Sequence, residues 1–582
     1  MKNFCECGAS RPCGVMRRRG LRVAVVAVMV VMAWLPFPWR AAAQQRELPK
    51  LTKEQMYMDY DSLRMVLHKY WPHGEVQRLV TGYDAYGRID DLRGAIDTVT
   101  CEAGFFSVIM QMMFACNDQH VSLSWESWCR EESAITSEWS KRYNIFGYDQ
   151  KRAVKYVGGR YYTLRQVDAK TGEEVVPLGA RLLAVGGIPI DEYAAGANMR
   201  MQANTLWDWE RGKFYTVDLN DPRTIGAAEH NTWTIRHGGR TRTVDLDGTR
   251  TEVRTSSNAG FRGVRYFERD GILFVRLPSM SPQLSAEICG QLQTYADRVI
   301  NKVVIDVRGN GGGSDLAWME LLAAITDRTI VPDCRMAFKE RWRAEEIGAD
   351  AERVVYARDT LYAVTGTDKI VPSERSLRYG GKIYVIFDAD RCYSSTGSLL
   401  SACAVDDRLV SVGQRSGFLL GVGTTPMPGF LDHSKIVYRI PLALEVTGAR
   451  DGRPEDCYMG NVDIEVPVRS FKKFYAPYYE TDDDIYGEDF LYNHDACFRP
   501  AVEVIRRGFE LYGCMHAGVA GIIARMFCFA VKKGYLWKIK YRKDEKDRGY
   551  RQQQYRYGCE GFAPASGGGD RPRRRVHDEC RR

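Results

Sequence analysis

Apolar residues between Leu51 and Cys116 recur at three- and four-residue intervals, as in Leu63, Val66 and Leu67 and again in Phe106, Ile109, Met110 and Met113. That spacing puts one side of a helix against a core, so several amphipathic helices are predicted here. They end at Asn117-Asp118-Gln119-His120, after which Val121-Ser122-Leu123 reads as a strand. From about residue 150 to about 250 the pattern turns to short strands, at 153–157, 161–167, 233–237 and 242–246. Beyond about residue 260, strand and helix alternate: strand 272–277, helix 286–300, buried strand 302–307, helix 316–326, strand 383–388 and helix 395–405. Such alternation predicts an α/β core whose sheet is buried by helices.

Within the β-rich stretch, the run from Gly179 to Ile190 joins an apolar strand to a second short strand through Gly186-Gly187. This order resembles the middle of a PDZ domain, a module that binds peptide ends by strand addition. Any hairpin with a Gly-Gly turn gives the same pattern.

A chain of 582 residues is too long for one core, so two or three domains plus tails are expected. Hydrophobic residues at 45% and charged residues at 27% give an ordinary globular balance. The net charge of +8 lies largely in Arg17-Arg18-Arg19 and in the tail beyond Lys532, and implies no nucleic-acid partner. The N-terminus reads as a secretion signal, residues 1–43. It has a basic start, an apolar stretch from Val23 to Trp34, and the small residues Ala41, Ala42 and Ala43 before Gln44. An uncleaved anchor is the other reading, although a bilayer span needs about 20 apolar residues. Either way the body is expected to be exported, whether periplasmic, envelope-associated or secreted, with no integral span in the mature chain. Cys5, Cys7 and Cys13 fall inside the signal, and no cysteine–histidine spacing suggests zinc. The expected organisation is a helical region at 44–135, a β-domain at 136–255, an α/β core at 256–475 and a partly disordered tail at 476–582.

Two segments carry candidate chemistry. In the first, the apolar Val303-Val304-Ile305 runs through Asp306-Val307-Arg308 into Gly309-Asn310-Gly311-Gly312-Gly313. Glycines let backbone N–H groups face a ligand unobstructed. The Lys-Ser/Thr of a phosphate-binding loop is missing, since Ser314-Asp315 follow. An oxyanion hole uses the same backbone geometry, and a plain tight turn is the structural alternative. In the second, strand 383–387 leads through Asp390-Arg391-Cys392-Tyr393 to Ser394-Ser395-Thr396-Gly397 and a helix. A serine at a helix N-terminus is either a cap or a nucleophile whose oxyanion the helix end stabilises.

Together the two segments resemble the C-terminal processing, or tail-specific, serine protease family. Its Asp-x-Arg-x-Asn-x-Gly-Gly motif is matched from Asp306 to Gly313. Its catalytic serine precedes the Gly of a later Val-Gly strand end by a spacing that, counted back from Gly413, falls on Ser394 rather than Ser395. Val462-Asp463-Ile464-Glu465-Val466 matches its Pro-Asp-Ile-x-Val element, with Val in place of Pro. The resemblance implies a crotonase/Clp-type α/β core with an N-terminal helical cap and a PDZ-like β-domain. It also implies hydrolysis of peptides or unfolded proteins with no cofactor and no metal.

The family's commoner branch carries a base Lys at a position that is Leu419 here. A second branch, similar to the tricorn core protease, uses a His from the helical region in an Asp-Gly-His-Thr pattern. Asp118-Gln119-His120-Val121 matches that pattern at Asp and His. This branch implies Ser394 as nucleophile, His120 as base and Glu455, or its neighbour Asp456, as the partner of His120. The oxyanion donors would be the N–H of Ser395 and that of Gly311 or Gly312. Two other classes fit parts of the pattern. One is a non-catalytic protein of the same fold carrying a peptide or apolar ligand. The other is a crotonase-type acyl-CoA enzyme, which an export signal argues against.

Overall fold

The computed structural model describes residues 47–143, 152–197, 205–219, 221–223, 227–253, 260–348, 351–356, 359–366, 368–415, 417, 423–447, 462–463, 476–480 and 483–502. The signal-like residues 1–43, Leu419, Glu455 with Asp456, and the basic tail lie outside them.

The N-terminal region is helical, as the periodicity predicts. Lys53–Tyr70 starts from a capping box between Thr52 and Gln55, and His73–Thr81, Ala85–Asp91 and Glu102–Ala115 follow. Leu63, Leu67, Phe106, Ile109 and Met113 are all buried. They share one core with Phe338, Tyr438, Ile440 and Leu442 of an antiparallel sheet, so the helical region is packed onto the body. Glu102–Ala115 ends at a loop that turns through Asn117, at φ 47°. Ser122–Leu123 then pairs antiparallel with Val437–Glu445, Ser122 facing Arg439. This short pairing fixes where His120 enters the body.

The β-domain contains Arg152–Val157, Arg160–Thr163, Arg181–Val185, Thr232–His237 and Arg240–Asp245 in one sheet. The expected strand 161–167 is broken in two, with Gln166–Asp168 joining a separate three-stranded sheet. Gly186 and Gly187, at φ 58° and 81°, turn Arg181–Val185 back onto Ile188–Pro189 before a short helix, Ile190–Ala197.

The core is a six-stranded sheet in the order Gly263–Phe267, Ile272–Arg276, Lys302–Asp306, Ile383–Phe387, Leu409–Gly413 and Val462–Asp463. The first pair is antiparallel and the rest parallel. Ile272–Arg276 and Ile383–Phe387 are buried at every position, as strands covered on both faces must be. Pro282–Leu292, Asp315–Ile325 and Ser395–Val405 contribute to the cover. The first of these starts and ends earlier than the expected 286–300. Ser281 caps it through Leu284 N, Pro282 occupies its first turn, and a 3₁₀ turn follows at Gln293–Tyr295. Against the other side of the sheet lie residues beyond 475. Phe498 and Tyr486 pack on Phe274, and Asp495 is 2.7 Å from Arg308.

Candidate active site

Parallel pairing sets Asp306 beside Ile386, so the segments that leave Lys302–Asp306 and Ile383–Phe387 emerge side by side. They are tied together by Val307 N–H to Ile386 O at 2.9 Å and Gly309 N–H to Asp388 Oδ2 at 2.9 Å.

In the first segment, the polar residues of the motif hold the backbone. Arg308 donates to both oxygens of the buried Asp306, at 3.0 and 2.6 Å. Arg276 donates to the carbonyls of Asp306 and Arg308, at 3.0 and 2.7 Å. Burial by itself would raise the Asp306 carboxyl, but Arg308 and Arg276 hold it below the usual range. Asn310 donates to Leu277 O and accepts the Gly312 N–H, each at 2.9 Å. Of the two candidate glycine donors, Gly312 therefore has its N–H engaged. Those of Gly311 and Ser395 meet no acceptor among the described residues.

The second segment ends at Ser394, which has φ 57° and ψ −129° and caps Ser395–Val405. A side-chain-bearing residue held at this positive φ is strained, and the surroundings must enforce it. Arg391 grips Asp218 of the β-domain at 2.8 and 3.0 Å, and Lys155 lies 3.4 Å from Asp390. Gly312 fits against the turn only because it lacks a side chain: a Cβ there would stand 2.5 Å from Ser394 Cβ and 2.7 Å from Tyr393 O. Cys392 is no rival nucleophile. It is buried, donates to Val307 O at 3.2 Å, and burial pushes its thiol far above the usual range.

The two predicted chemical residues, 274 positions apart, meet: His120 Nε2 is 3.1 Å from Ser394 Oγ. Ser395 Oγ is buried without a partner among the described residues. The other ring nitrogen, His120 Nδ1, is 2.8 Å from the hydroxyl of Tyr393, which donates to Asp118 Oδ1 at 3.0 Å. Asp118, 3% exposed, also accepts the Trp71 indole N–H at 2.9 Å and the His120 backbone N–H at 2.9 Å, and has His73 Nδ1 at 3.5 Å. Burial would raise this carboxyl, but His73, His120 and Trp71 outweigh it and hold it well below the usual carboxylate range.

Residues 271–446 match the model of peptidase family S41. The chain is a serine peptidase with a family S41 domain. This is the family of C-terminal processing proteases, and the matched stretch carries the Asp306–Gly313 motif and Ser394. No curated protein matches the chain in sequence. Among solved structures, mature CPAF is similar at 16% identity, covering 72% of this chain and 94% of its own, with a TM-score of 0.49. The photosystem II D1 C-terminal processing protease is similar at 14% identity, covering 72% of this chain and 95% of its own, with a TM-score of 0.36. The tricorn protease is similar at 14% identity, covering 79% of this chain and 37% of its own, with a TM-score of 0.32.

Of the expected site residues, Ser394, His120, Ser395 and Gly312 converge in space, and Gly311 adjoins them in the same turn. Glu455 falls outside the described residues. Trp71, His73 and Tyr393 were not singled out by sequence, and Asp118 only as part of a motif. The one local signal for them is that Asp118 and Tyr393 each stand within two positions of a residue that was. No described helix is long and apolar enough to cross a membrane.

Proposed function

We propose that the protein is an exported endopeptidase that cleaves peptides or unfolded proteins through an acyl-enzyme on Ser394, with His120 as general base. The observation that carries this reading is the 3.1 Å approach of His120 Nε2 to Ser394 Oγ, inside the range a general base needs. Leu419, at the place of the commoner branch's Lys, supports a His base, and the N-terminal sequence pattern supports export.

In the forward step Ser394 Oγ attacks the substrate carbonyl carbon while its proton passes to His120 Nε2. The electron pair of the carbonyl moves onto oxygen, which takes the N–H groups of Ser395 and Gly311 at the positive end of Ser395–Val405. Collapse breaks the C–N bond and His120 returns the proton to the leaving amine. Water, deprotonated by the same nitrogen, then releases the acyl group. The hairpin at Gly186-Gly187 followed by Ile190–Ala197 supports a PDZ-like role for the β-domain in holding a substrate end.

The test is labelling by a fluorophosphonate together with hydrolysis of an unfolded protein. Wild type should be labelled on Ser394 and cleave, while Ser394→Ala should do neither. His120→Gln should lose roughly 10²–10⁴-fold in rate. Wild-type turnover by Ser394→Ala ends the reading.

A further inference from the structure

Two consecutive residues clamp the two nitrogens of one imidazole: Ser394 Oγ reaches His120 Nε2 and the Tyr393 hydroxyl reaches Nδ1. The Tyr393 ring also stacks on the imidazole, with centroids 4.8 Å apart and planes at 27°. The carboxylate behind them, Asp118 Oδ1, is 3.5 Å from Nδ1, beyond a good hydrogen bond, while the phenol oxygen sits between at 2.8 and 3.0 Å. We propose that Tyr393 is a positioning residue that links His120 to Asp118, so that the base is oriented through a phenol rather than by a direct carboxylate contact. This inference rests on the reading of Ser394 and His120 given above.

The protons allow one consistent arrangement. To take the proton of Ser394, Nε2 must be bare, so Nδ1 carries hydrogen and donates to the Tyr393 oxygen. The Tyr393 O–H donates to Asp118, an ionised carboxylate that also accepts from Trp71 and from the His120 backbone. When His120 gains the serine proton, its charge faces a phenol oxygen polarised by that carboxylate. The chain of donors runs in one direction and no bond to Tyr393 is made or broken. The titratable groups set against Asp118 are His120, Tyr393, His73 and Cys116, and burial keeps the Cys116 thiol protonated. The Trp71 indole holds the same oxygen that His73 approaches, which leaves Oδ1 to Tyr393 and the His120 backbone N–H.

Tyr393→Phe keeps the stacked ring and removes one oxygen, so the fold should survive. It should lower kcat about 10- to 100-fold, part of what a general base contributes, with KM little changed. Because the lost oxygen stabilises imidazolium, the rising acid limb of the pH–rate profile should move to lower pH. Asp118→Asn should act in the same direction, and adding Tyr393→Phe to it should cost far less than in wild type, since the two would act as one unit. A wild-type profile for Tyr393→Phe overturns the proposal. So does a loss confined to KM, an unmoved limb, or full additivity with Asp118→Asn, which would mean packing alone. Fluorophosphonate labelling separates the two levels. If Ser394 is labelled and labelling needs His120 while Tyr393→Phe equals wild type, only this inference fails. If Ser394→Ala still cleaves, the underlying reading fails with it.

Discussion

Gly312→Ala probes the site without touching a chemical group. The added methyl would lie 2.5 Å from Ser394 Cβ, 2.7 Å from Tyr393 O and 2.9 Å from Ser395 N. Carbon atoms rest at about 3.5 Å or more, so the nucleophile turn must retreat by about 1 Å. A misplacement of that size costs on the order of 10²-fold in rate, equivalent to about 2.7 kcal/mol. The substitution also places alanine at φ 105°, a strain of roughly 1–3 kcal/mol. Against a typical stability of about 5–15 kcal/mol that leaves the protein folded, with a lowered Tm. Gly311→Ala is the control: its Cβ would meet nothing within 4 Å, and the backbone N–H is kept. The assay is the second-order rate of fluorophosphonate labelling of Ser394, read beside thermal melting. The expected outcome is a folded Gly312→Ala labelled about a hundredfold more slowly, with Gly311→Ala close to wild type. If both variants label at the same rate, or if Gly312→Ala loses activity only in proportion to unfolding, the close packing of the two turns does not set the nucleophile's position.

Two further tests address the frame around the site. Glu445, buried on Val437–Glu445 beside Ser401 and Thr447, has its carboxyl pushed up to about 7 by burial, against a usual 4.5. A raised folded-state value means stability that is full below pH 4.5 and is lost as pH rises through about 7, so Glu445→Gln should flatten the fall of Tm over that window. A Tm profile as steep as wild type's would show that Glu445 is not the group responsible. Asp495 binds Arg308 at 2.7 Å and caps Cys497 and Phe498 N–H, both at 2.7 Å, so Asp495→Ala should cost about 3 kcal/mol in urea unfolding by removing one of the two carboxylates that Arg308 pairs with among the described residues. A change below about 0.5 kcal/mol would mean the residues beyond 475 do not brace the motif.

The parts of the fold legible in the sequence are those whose burial is uniform or strictly periodic. Ile383–Phe387 and Val303-Val304-Ile305 are apolar runs because the sheet is covered on both sides, and Glu102–Ala115 is apolar over most of its circumference because nine of its fourteen residues are buried. The sequence pattern does not predict the six-stranded antiparallel sheet that holds Arg335–Phe338, Asp359–Thr365, Gly423–Phe430 and Val437–Glu445 together with Ser122–Leu123 and Glu352–Tyr356. Pro426, Pro428 and Pro441 lie inside its last two strands, whose register runs on through them, and prolines argue against a strand when only the sequence is read. The site divides along the same line. Asp306, Arg308 and Asn310 are readable as a motif because Asp306 holds both the backbone N–H and the guanidinium of Arg308, and Asn310 holds Gly312 N–H and one neighbouring strand end. The link from His120 to Asp118 joins a turn after one helix to a turn before another, through Tyr393 at a separation of 273 positions from His120. No periodicity encodes that meeting. It follows from two placements that each have a local cause: Ser122–Leu123 anchoring the end of the helical region on Val437–Glu445, and Gly312 leaving room for the strained Ser394 turn. Sequence therefore points to Ser394 and His120 singly, through spacing and motif. The partner of His120 becomes visible only when both turns are in place, and Asp118 then reaches the imidazole through Tyr393, the residue before the nucleophile.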